Sequence, residues 1–441
     1  MEQDKHAFLI AAPHSNSGKT LITLGLIKAL CKLGLRVQPF KCGPDYIDPM
    51  HHKYVAGIPS YNLDLWMSSA EHVQGIFSEK MASSDVGIAE GVMGLFDGAQ
   101  KDKGSSADIA RLLNLPIILV VDASSTAYSI APLLYGFRNF DRSIHLAGVI
   151  FNKTGSERHF RFLKEAAEDV DVKVLGHIPR DKRLMIESRH LGLHLPGENN
   201  NAELLDIVAN RIETHVDLSV LLDACKIQIS DSKNEEQKQK AKQTITTAMA
   251  LDEAFNFSYQ ANMDELAKLG EVRFFSPLHD TEVPEADWIW IPGGYPELYA
   301  RELAANQSMK NSIKTQIEAG RPVLAECGGL MYLGNKIISK DGQQNEMVGI
   351  FDFSTSFENM KLHLGYRTVE LDEMTLKGHE FHFSNLINTP AKENYRVLSA
   401  NGDLVAMPFF RARNCMASYM HNYFGEAGSL IQFYNYLNEN K

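Results

Sequence analysis

The sequence has 441 residues, of which 44% are hydrophobic and 22% charged, and its formal net charge is −11. At roughly 150 residues per domain, this length predicts two or three globular domains. The acidic balance disfavours a nucleic acid or an anionic membrane as partner. No apolar run approaches the roughly 20 residues needed to cross a bilayer, and MEQDKHAFLIAAP lacks a basic leader with a cleavage site. We therefore expect a cytoplasmic protein. Its five cysteines show no paired spacing, which argues against a disulfide framework and a zinc ribbon.

Short apolar runs alternate with helical patterns through the first half of the chain. This alternation is typical of a parallel sheet with crossover helices. Because the runs are apolar almost throughout, we expect both faces of the strands to be buried. A helix is predicted over Thr20–Lys32, where leucine and isoleucine recur at helical spacing. The predicted strands are Phe8–Ala12, Val37–Phe40, Val86–Glu90, Ile117–Asp122, His145–Phe151 and Val172–Leu175.

The segment Ala11–Thr20, AAPHSNSGKT, links the first predicted strand to that helix. Backbone N–H groups of such a loop, together with the helix dipole, bind phosphates. We expect Lys19 to meet the outer phosphates and the Thr20 hydroxyl to bind Mg²⁺. Pro13 replaces the first Gly of the usual pattern, so a serine-rich turn with a chance Gly-Lys-Thr stays an alternative. The predicted ATP-binding residues of this loop are Ser15, Asn16, Ser17, Gly18, Lys19 and Thr20.

Carboxylates follow two of the predicted strands at the edge where the loop opens. Ligands of open α/β sheets bind outside the carboxyl ends of the strands, and Mg²⁺ prefers one or two carboxylates together with phosphate oxygens. Glu90 ends one strand and Asp45 follows another. We assign Thr20, Asp45 and Glu90 to the metal, although a capping acid is the alternative for Glu90. Asp48 and Asp97 are candidates for binding the metal, a phosphate or the substrate. Lys41 is a candidate for pairing with phosphate.

Two later segments of the first half carry further candidates. Asn152 follows a predicted strand at the place where an amide would read the base of ATP, and a helix N-cap is the rival interpretation. The segment 179–194, PRDKRLMIESRHLGLH, is basic in an otherwise acidic chain. Arg189 and His190 there are candidates for binding substrate carboxylates or phosphate. A solvated basic surface is the alternative for this segment.

A polar stretch, SDSKNEEQKQKAKQ at residues 230–243, predicts a linker between two domains. After it a second α/β alternation begins. We expect strands at Thr247–Leu251, Val272–Ser276, Trp288–Pro292 and Val323–Glu326, followed by antiparallel strands at Met347–Phe353, Tyr366–Leu371 and Glu380–Ser384. The predicted domains are therefore residues 1–229 and 244–441.

Cys327, in RPVLAECGG, is predicted to lie on a sharp turn between a buried strand and a helix. Such an elbow exposes a nucleophile, and we expect the helix N-terminus to lower the pKa of the thiol. His421, in ASYMHNYF, is the predicted base. Backbone N–H groups of Gly294 and Gly328 are the predicted oxyanion hole. A free cysteine is more often inert core, but the flanking glycines favour the elbow.

The segment GHEFHFS contains His379, Glu380 and His382, which resemble a metal-binding trio. In a strand, alternation places His379 on the face opposite Glu380 and His382. We therefore disfavour zinc here.

Taken together, the motifs resemble the cobyrinic acid a,c-diamide synthase family over essentially the whole chain. The motifs that carry the resemblance are SGKT at residues 17–20, GPDYIDP at 43–49, EGVMGLFDG at 90–98, RHLGL at 189–193, DEAFNF at 252–257, PGGYPE at 292–297, AECGGLMYLG at 325–334 and GHEFHFS at 378–384.

The resemblance implies an α/β chain of two domains. The first is a P-loop NTPase domain similar to dethiobiotin synthetase, with a parallel sheet and flanking helices. The second is a class I glutamine amidotransferase domain, which is flavodoxin-like. It also implies that Cys327 is the glutaminase nucleophile and His421 its activator. Class I amidotransferases usually carry a Glu two residues after that His, whereas this chain has Tyr423. The acid of the triad is therefore missing or comes from elsewhere.

The implied activity is a ligase that amidates the a and c carboxylates of cobyrinate with ATP, Mg²⁺ and L-glutamine. Hydrogenobyrinate and nickel-sirohydrochlorin are alternative substrates of the same reaction, and cobyric acid synthase is a rival of the same architecture. A partitioning-type ATPase switch with an inactive second domain is the rival from another class. His14 disfavours that switch, because such switches typically carry a Lys there. The oligomeric state stays open, with a homodimer as one alternative.

Overall fold

The protein was analysed as a computed structural model that describes residues 5–184, 188–189, 192–193, 201–228, 244–371, 374–389 and 395–439. The chain divides into two compact units, residues 1–236 and 237–441. The predicted linker 230–243 lies outside the described residues. Among the helices that are described, none combines the length and apolar character needed to cross a membrane.

The first unit is built on a largely parallel sheet with the strand order β3-β2-β4-β1-β5-β6-β7, and β10 pairs antiparallel with β1. Alternate residues of β1 lie in two different hydrophobic clusters, Leu9 in one and Phe8 and Ile10 in the other. Both faces of the sheet are thus buried, as the continuous apolar runs predicted. The strands are β1 Lys5–Ala11, β2 Val37–Cys42, β3 Tyr61–Leu63, β4 Val86–Glu90, β5 Ile117–Asp122, β6 Leu146–Thr154, β7 Val174–Pro179, β8 Ser188–Arg189, β9 Gly192–Leu193 and β10 Lys226–Ile227.

Helices connect these strands and cover the two faces of the sheet. Side chains at the start of several helices satisfy backbone N–H groups; Ser69, Ser105 and Ser156, for example, accept hydrogen bonds from the first turn of α3, α4 and α6. The helices are α1 Lys19–Lys32, α2 Ile47–Ala56, α3 Ala70–Ala82, α4 Ser106–Leu113, α5 Ile130–Asn139, α6 Glu157–Glu168, α7 Asn201–His215 and α8 Leu218–Ala224.

The second unit has a main sheet in the order β12-β11-β13-β14-β23-β22, parallel except for β22. Two further sheets have the orders β16-β15-β17-β20 and β21-β18-β19-β24. The strands are β11 Thr247–Ala250, β12 Val272–Phe275, β13 Trp288–Ile291, β14 Val323–Glu326, β15 Lys336–Ile338, β16 Gln344–Glu346, β17 Ser354–Ser356, β18 His363–Glu370, β19 Thr375–His382, β20 Asn385–Ile387, β21 Arg396–Ser399, β22 Phe409–Ala412, β23 Cys415–Ser418 and β24 Met420–Asn422. The helices are α9 Gln260–Leu269, α10 Ala300–Ala305, α11 Gln307–Glu318, α12 Gly328–Leu333 and α13 Ser429–Glu439.

Most predicted strands coincide with observed ones, but the prediction of a strand at Met347–Phe353 is wrong. Backbone N–H groups of that segment donate to Asn335, Tyr332, Gly334 and Leu333 instead of a neighbouring strand. The apolar side chains of this segment are buried because the segment packs onto the core as an irregular loop. The strand expected at Glu380–Ser384 ends at His382 and begins earlier, at Thr375.

One hydrogen bond inside the second core joins two parallel strands. Trp288 Nε1 donates to the Thr247 hydroxyl at 2.6 Å, and both side chains are fully buried. Because both side chains are fully buried, solvent cannot replace this hydrogen bond of the indole N–H. Loss of the hydroxyl would therefore leave a buried donor unsatisfied.

We predict that Thr247→Val lowers the free energy of unfolding of the second unit by about 1–3 kcal/mol, the cost of an unpaired buried donor. Valine has nearly the same shape, so packing is retained. Thr247→Ser is the control, because it keeps the hydroxyl and loses only a methyl group, worth about 0.8 kcal/mol. Urea unfolding followed by tryptophan fluorescence measures both. A valine variant more stable than the serine variant would contradict this prediction.

Candidate functional site

The loop that links β1 to α1 has a conformation that requires glycine. Gly18 has φ 95°, and a Cβ there would lie 2.1 Å from Asn152 Nδ2. Asn152 Nδ2 donates to the Ser17 carbonyl at 2.9 Å, which holds the loop against β6. The loop residues Ser15 and Asn16 are exposed, whereas Ser17 is buried. The backbone before α1 is thus fixed while the outer part of the loop faces solvent, as phosphate binding requires.

Asn152 lies within β6 rather than at a helix start, so the N-cap interpretation of this residue is wrong. The N-cap of α6 is Ser156. Both polar atoms of the Asn152 amide are engaged, since its Oδ1 accepts from Lys153 N at 2.9 Å. The Asn152 side chain contacts Ser17, in the loop that links β1 to α1. Base reading by Asn152 stays a prediction.

Lys19 begins α1 and points toward the loop that follows β4. Its Nζ donates to the Met93 carbonyl at 2.5 Å. Burial lowers the pKa of Lys19, and Glu90 opposes that shift. In the same loop the Asp97 carboxylate accepts from Gly94 N at 2.9 Å, so Asp97 shapes the turn at residues 94–97.

Thr20 in the first turn of α1 and Glu90 at the end of β4 meet, as their assignment to one site predicted. The Thr20 hydroxyl donates to Glu90 Oε1 at 2.6 Å and lies 3.4 Å from Asp48 Oδ2. Asp45, the third predicted metal ligand, instead accepts from the backbone N–H groups of Ile47 and Asp48 at the start of α2. Of the two aspartates, Asp48 lies closer to the Thr20–Glu90 pair.

Lys41 is buried among these carboxylates. It forms ion pairs with Asp48 and, at 3.1 Å, with Glu90, and its Nζ lies 3.8 Å from Asp45 Oδ2. Burial would lower the pKa of Lys41, but Asp48 and Glu90 raise it well above its usual value. Burial would likewise raise the pKa of Glu90, yet Lys41 and His52 hold it well below its usual range. Glu90 therefore stays charged in a buried place, which suits a cation, whereas burial and the charges of Asp45 and Glu90 raise the pKa of Asp48.

His52 completes this cluster and was not predicted from the sequence. It is fully buried, and its Nε2 donates to Glu90 Oε2 at 2.8 Å. Its Nδ1 lies 3.1 Å from the Ser60 hydroxyl. Glu90 is thus held on both oxygens, by Thr20 and Lys41 on one and by His52 on the other. No motif singles out this histidine, because the contact depends on how α2 crosses the end of β4.

The basic segment 179–194 lies only partly within the described residues. Arg183 forms an exposed ion pair with Asp181, with an N–O distance of 2.6 Å, in keeping with a solvated surface. The Arg189 side chain and His190 lie outside the described residues.

Cys327 lies between β14 and α12 with φ 46° and ψ −97°, a conformation that non-glycine residues rarely adopt. The two residues that follow Cys327 are glycines, and each lies too close to neighbouring atoms for a larger side chain. A Cβ on Gly329 would lie 2.2 Å from the Ile291 carbonyl, and one on Gly328 would lie 3.0 Å from Gly294 N. The geometry is that of the predicted elbow. It also brings Gly294 N close to Gly328, the two predicted oxyanion-hole residues.

The backbone N–H of Gly328, at the start of α12, lowers the pKa of Cys327 as predicted, but burial outweighs this effect. Burial, and then the charge of Glu297, raises the pKa of the thiol well above its usual value. Burial also lowers the pKa of His421, as do His379 and His382. Both the Cys327 thiol and the His421 imidazole are therefore neutral at rest.

Glu326 precedes Cys327 and Asn422 follows His421, and hydrogen bonds between these two residues hold the end of β14 next to β24. Glu326 Oε1 accepts from both Asn422 N, at 2.8 Å, and Asn422 Nδ2, at 2.6 Å. The other oxygen of Glu326 accepts from Trp290 Nε1 at 3.0 Å. A Cβ on Gly293 would lie 2.3 Å from the His421 ring. The imidazole is thus packed against the backbone of the PGGY turn.

The imidazole of His421 lies against a second histidine, His379, on the neighbouring strand β19. His379 is its direct cross-strand neighbour, and the two rings stack with centroids 5.1 Å apart. Tyr259 Oη contacts His379 Nδ1 at 2.7 Å. A buried Tyr259–His379 pair therefore lies against the predicted base. His379 thus lies on the face of β19 opposite Glu380 and His382, as the alternation of side chains along a strand predicted.

Glu380 and His382 form a second polar cluster on the other face of β19. Arg367 Nε and a terminal guanidinium nitrogen lie 2.8 and 2.7 Å from Glu380 Oε2. His382 Nε2 lies 2.9 Å from the other Glu380 oxygen, and the His382 ring stacks on His363 and Tyr419. The ligand atoms of His363, Glu380 and His382 all lie within 4.8 Å of one another. Arg367 already neutralises the carboxylate of this trio.

Comparisons with known families match each unit separately. Residues 8–193 match the CobQ/CobB/MinD/ParA nucleotide binding domain, and residues 246–428 match the CobB/CobQ-like glutamine amidotransferase domain. The predicted fold class, a parallel P-loop domain followed by an amidotransferase domain, is thus confirmed.

Curated relatives match over nearly the whole chain. Hydrogenobyrinate a,c-diamide synthase of Brucella anthropi is 42% identical over 94% of this chain and 97% of the relative. Cobyrinate a,c-diamide synthase of Caldanaerobacter subterraneus subsp. tengcongensis is 39% identical over 94% of each chain. The enzyme of that same name from Listeria innocua serovar 6a is 41% identical over 96% of this chain and 97% of the relative. Identity at this level over both units shows that the chain belongs to the family of cobyrinate and hydrogenobyrinate a,c-diamide synthases.

Proposed function

We propose that the chain is an ATP-dependent ligase that amidates the a and c carboxylates of cobyrinate with ammonia from glutamine. The observation that carries this proposal is the presence, in one chain of this family, of a strained cysteine elbow and an ATP-type loop with its carboxylate cluster. Hydrogenobyrinate is the second candidate substrate, because relatives of both names match this chain about equally well. The intact elbow disfavours the partitioning-type switch.

In the first unit the chain activates a carboxylate. A carboxylate is a poor acyl donor because its negative charge is delocalised and its carbon resists attack by ammonia, so transfer of the ATP γ-phosphoryl group to it first forms an acyl phosphate. Ammonia then attacks the acyl carbon and phosphate leaves. Residues 15–20 would bind the ATP phosphates through backbone N–H groups, and Lys19 would face the charge that develops on the transferred group. Asp97, Arg189 and His190 remain candidates for substrate or phosphate.

The oxygen donors of this unit fit a magnesium ion. The oxygens of Thr20, Glu90 and Asp48 converge, and a bound Mg²⁺ would share the two carboxylates with the ammonium of Lys41, which lies against both. Asp45 lies at the edge of the same group. A bound Mg²⁺ would supply positive charge to the β- and γ-phosphate oxygens. His52 and Lys41 would keep the Glu90 carboxylate ionised and oriented.

In the second unit the chain releases ammonia from glutamine. The Cys327 thiol would attack the carboxamide carbon while His421 takes the thiol proton and returns it to the leaving ammonia. Water then hydrolyses the thioester to glutamate. The N–H groups of Gly294 and Gly328 would bind the oxyanion in both steps. His379, held by Tyr259, would fix the His421 ring in the role that a third triad residue usually has.

We further propose residues 1–229 and 244–441 as the functional domains, joined by 230–243. The two family matches, residues 8–193 and 246–428, support this division because each lies within one of the proposed domains. ATP, glutamine and the macrocycle are small molecules, and none of them requires a membrane or a nucleic acid. We retain the cytoplasm as the proposed location.

We predict that Cys327→Ser abolishes synthesis with glutamine and leaves synthesis with added ammonia intact. The wild-type chain should add two amides to the accepted macrocycle when incubated with ATP, Mg²⁺ and glutamine. Mass spectrometry with cobyrinate and with hydrogenobyrinate counts the amides and identifies the substrate. Cys415→Ser, which changes a buried cysteine outside the elbow, is the control. Loss of the ammonia-dependent reaction in Cys327→Ser would indicate that the cysteine is structural.

We predict that Glu90→Gln lowers synthesis with either nitrogen source by at least about 10²-fold, because the carboxylate charge acts on the phosphoryl transfer. Glutaminase activity measured in the same variant should persist, since it belongs to the second unit. Glu79→Gln, an exposed carboxylate on α3, is the matched control and should be fully active. Full activity of Glu90→Gln with ammonia would remove Glu90 from the ATP site.

We predict that His379→Ala lowers kcat for glutamine hydrolysis by about 10²-fold, because a displaced base loses its near-attack geometry. KM for glutamine and ammonia-dependent synthesis should change little. Tyr259→Phe removes only the contact to His379 Nδ1 and should give a smaller loss in the same direction. Steady-state kinetics with the two nitrogen sources separate these effects. Equal loss in both reactions would assign His379 a purely structural role.

A further inference from the structure

Three residues of the first unit converge without any part in the mechanism above. Glu157 lies in the first turn of α6, His177 in β7, and His215 at the end of α7. Their potential ligand atoms all lie within 4.8 Å of one another. Two imidazoles and one carboxylate are a donor set that divalent transition metals bind and that Mg²⁺ does not prefer.

The backbone fixes the two histidines close together. Gly176 forms a β-bridge with Val216, and Asp217 N donates to the Leu175 carbonyl at 3.0 Å. A Cβ on Gly176 would lie 2.3 Å from the His215 carbonyl. The end of α7 can therefore approach β7 this closely only because residue 176 is glycine. The distance between His177 and His215 is a property of the fold rather than of side-chain mobility.

The hydrogen bonds of Thr154 favour the tautomer of His177 that carries its proton on Nδ1. The Thr154 hydroxyl donates to the Ile178 carbonyl at 3.4 Å, so its oxygen is free to accept from His177 Nδ1 at 2.9 Å. Protonation at Nδ1 leaves a lone pair on Nε2. That nitrogen lies 3.8 Å from Glu157 Oε1. Two electron-pair donors facing one another across this gap are stabilised by a cation between them.

Aromatic packing holds the His177 ring in this orientation. Its face stacks on Phe160 with centroids 3.8 Å apart, and His215 packs against it at 4.9 Å in an edge-on arrangement. His177 is nearly buried, whereas the Glu157 side chain is 77% exposed. A metal ion could thus enter from the Glu157 side and keep a water ligand there.

We propose that Glu157, His177 and His215 form a divalent transition-metal site, with Zn²⁺ as the ion. Bound Zn²⁺ would link the start of α6 and the end of α7 to β7. Thr154 is the residue that orients the His177 ligand, in the way that hydrogen-bonded neighbours orient metal-ligating histidines. The trio His363, Glu380 and His382 is the weaker candidate, because Arg367 occupies its carboxylate with a positive charge.

The test is Zn²⁺ binding to the full-length chain after removal of metals with a chelator. Competition with a chromogenic chelator measures affinity and stoichiometry, and thermal unfolding with and without Zn²⁺ measures the stabilisation. We expect one Zn²⁺ equivalent that His215→Ala removes, together with the rise in Tm. Thr154→Val should weaken affinity by about 10–100-fold, the effect of losing a residue that orients a ligand. His145→Ala, an exposed histidine of the same unit, is the control and should bind as the wild type does.

Glu157→Gln provides a second variant that leaves the fold intact, because its side chain is exposed. It should also weaken binding, since an amide is a poorer ligand than a carboxylate. Unchanged Zn²⁺ affinity and stoichiometry in both His215→Ala and Glu157→Gln would overturn the proposal. Binding that only Arg367 or Glu380 variants alter would overturn it in favour of the other trio. None of these outcomes depends on ligase activity, so the result is separate from the proposed function.

Discussion

Both candidate sites depend on one constraint, which is that parallel strands present their carboxyl ends at a common edge of the sheet. In the first unit Glu90 ends β4 between β1 and β2, and its register partners are Ile10 and Lys41. In the second unit Cys327 follows β14, whose last residue is paired with Ser418 of β23. Loops and short helices then extend from rigid strands. Small errors in strand position would separate the reacting groups, which is why glycines and buried hydrogen bonds surround each site.

The two sites use burial in opposite ways. Around Glu90, desolvation is offset by paired charges, so Lys41 and Glu90 remain ionised although no water reaches them. Around Cys327, desolvation is not offset by an opposite charge, and both the thiol and His421 are neutral at rest. A phosphate site needs permanent charge. A thiol nucleophile needs charge only when substrate is present, and a neutral thiol resists oxidation and side reactions.

The sequence was sufficient to predict most of the sheet strands, and the structure brings Thr20 next to Glu90 and Gly294 next to Gly328, as predicted. β4, β5 and β14 were predicted to the residue, because short apolar runs ending in Gly or an acid mark strands buried on both faces. The segment Met347–Phe353 is equally apolar but is a loop, since burial alone does not determine where backbone hydrogen bonds go. His52, Tyr259 and Arg367 could not be predicted. Each acts through a contact between distant segments, and single-residue patterns carry no such information. The side chains of Arg189 and His190 lie outside the described residues.

The residue two positions after His421 is Tyr423 rather than the usual Glu, and the contacts of His421 give a physical account of this difference. A carboxylate behind His421 would raise the pKa of the imidazole and favour a resting thiolate–imidazolium pair. A neutral, buried His379 held by Tyr259 orients the ring without that charge, and its neighbourhood lowers the pKa of His421 instead. Ionisation of the thiol must then await the polar groups that glutamine brings into the site. In the proposed mechanism this arrangement would limit glutamine hydrolysis before substrate is in place, because the position of His379 and the raised thiol pKa both act against a resting thiolate.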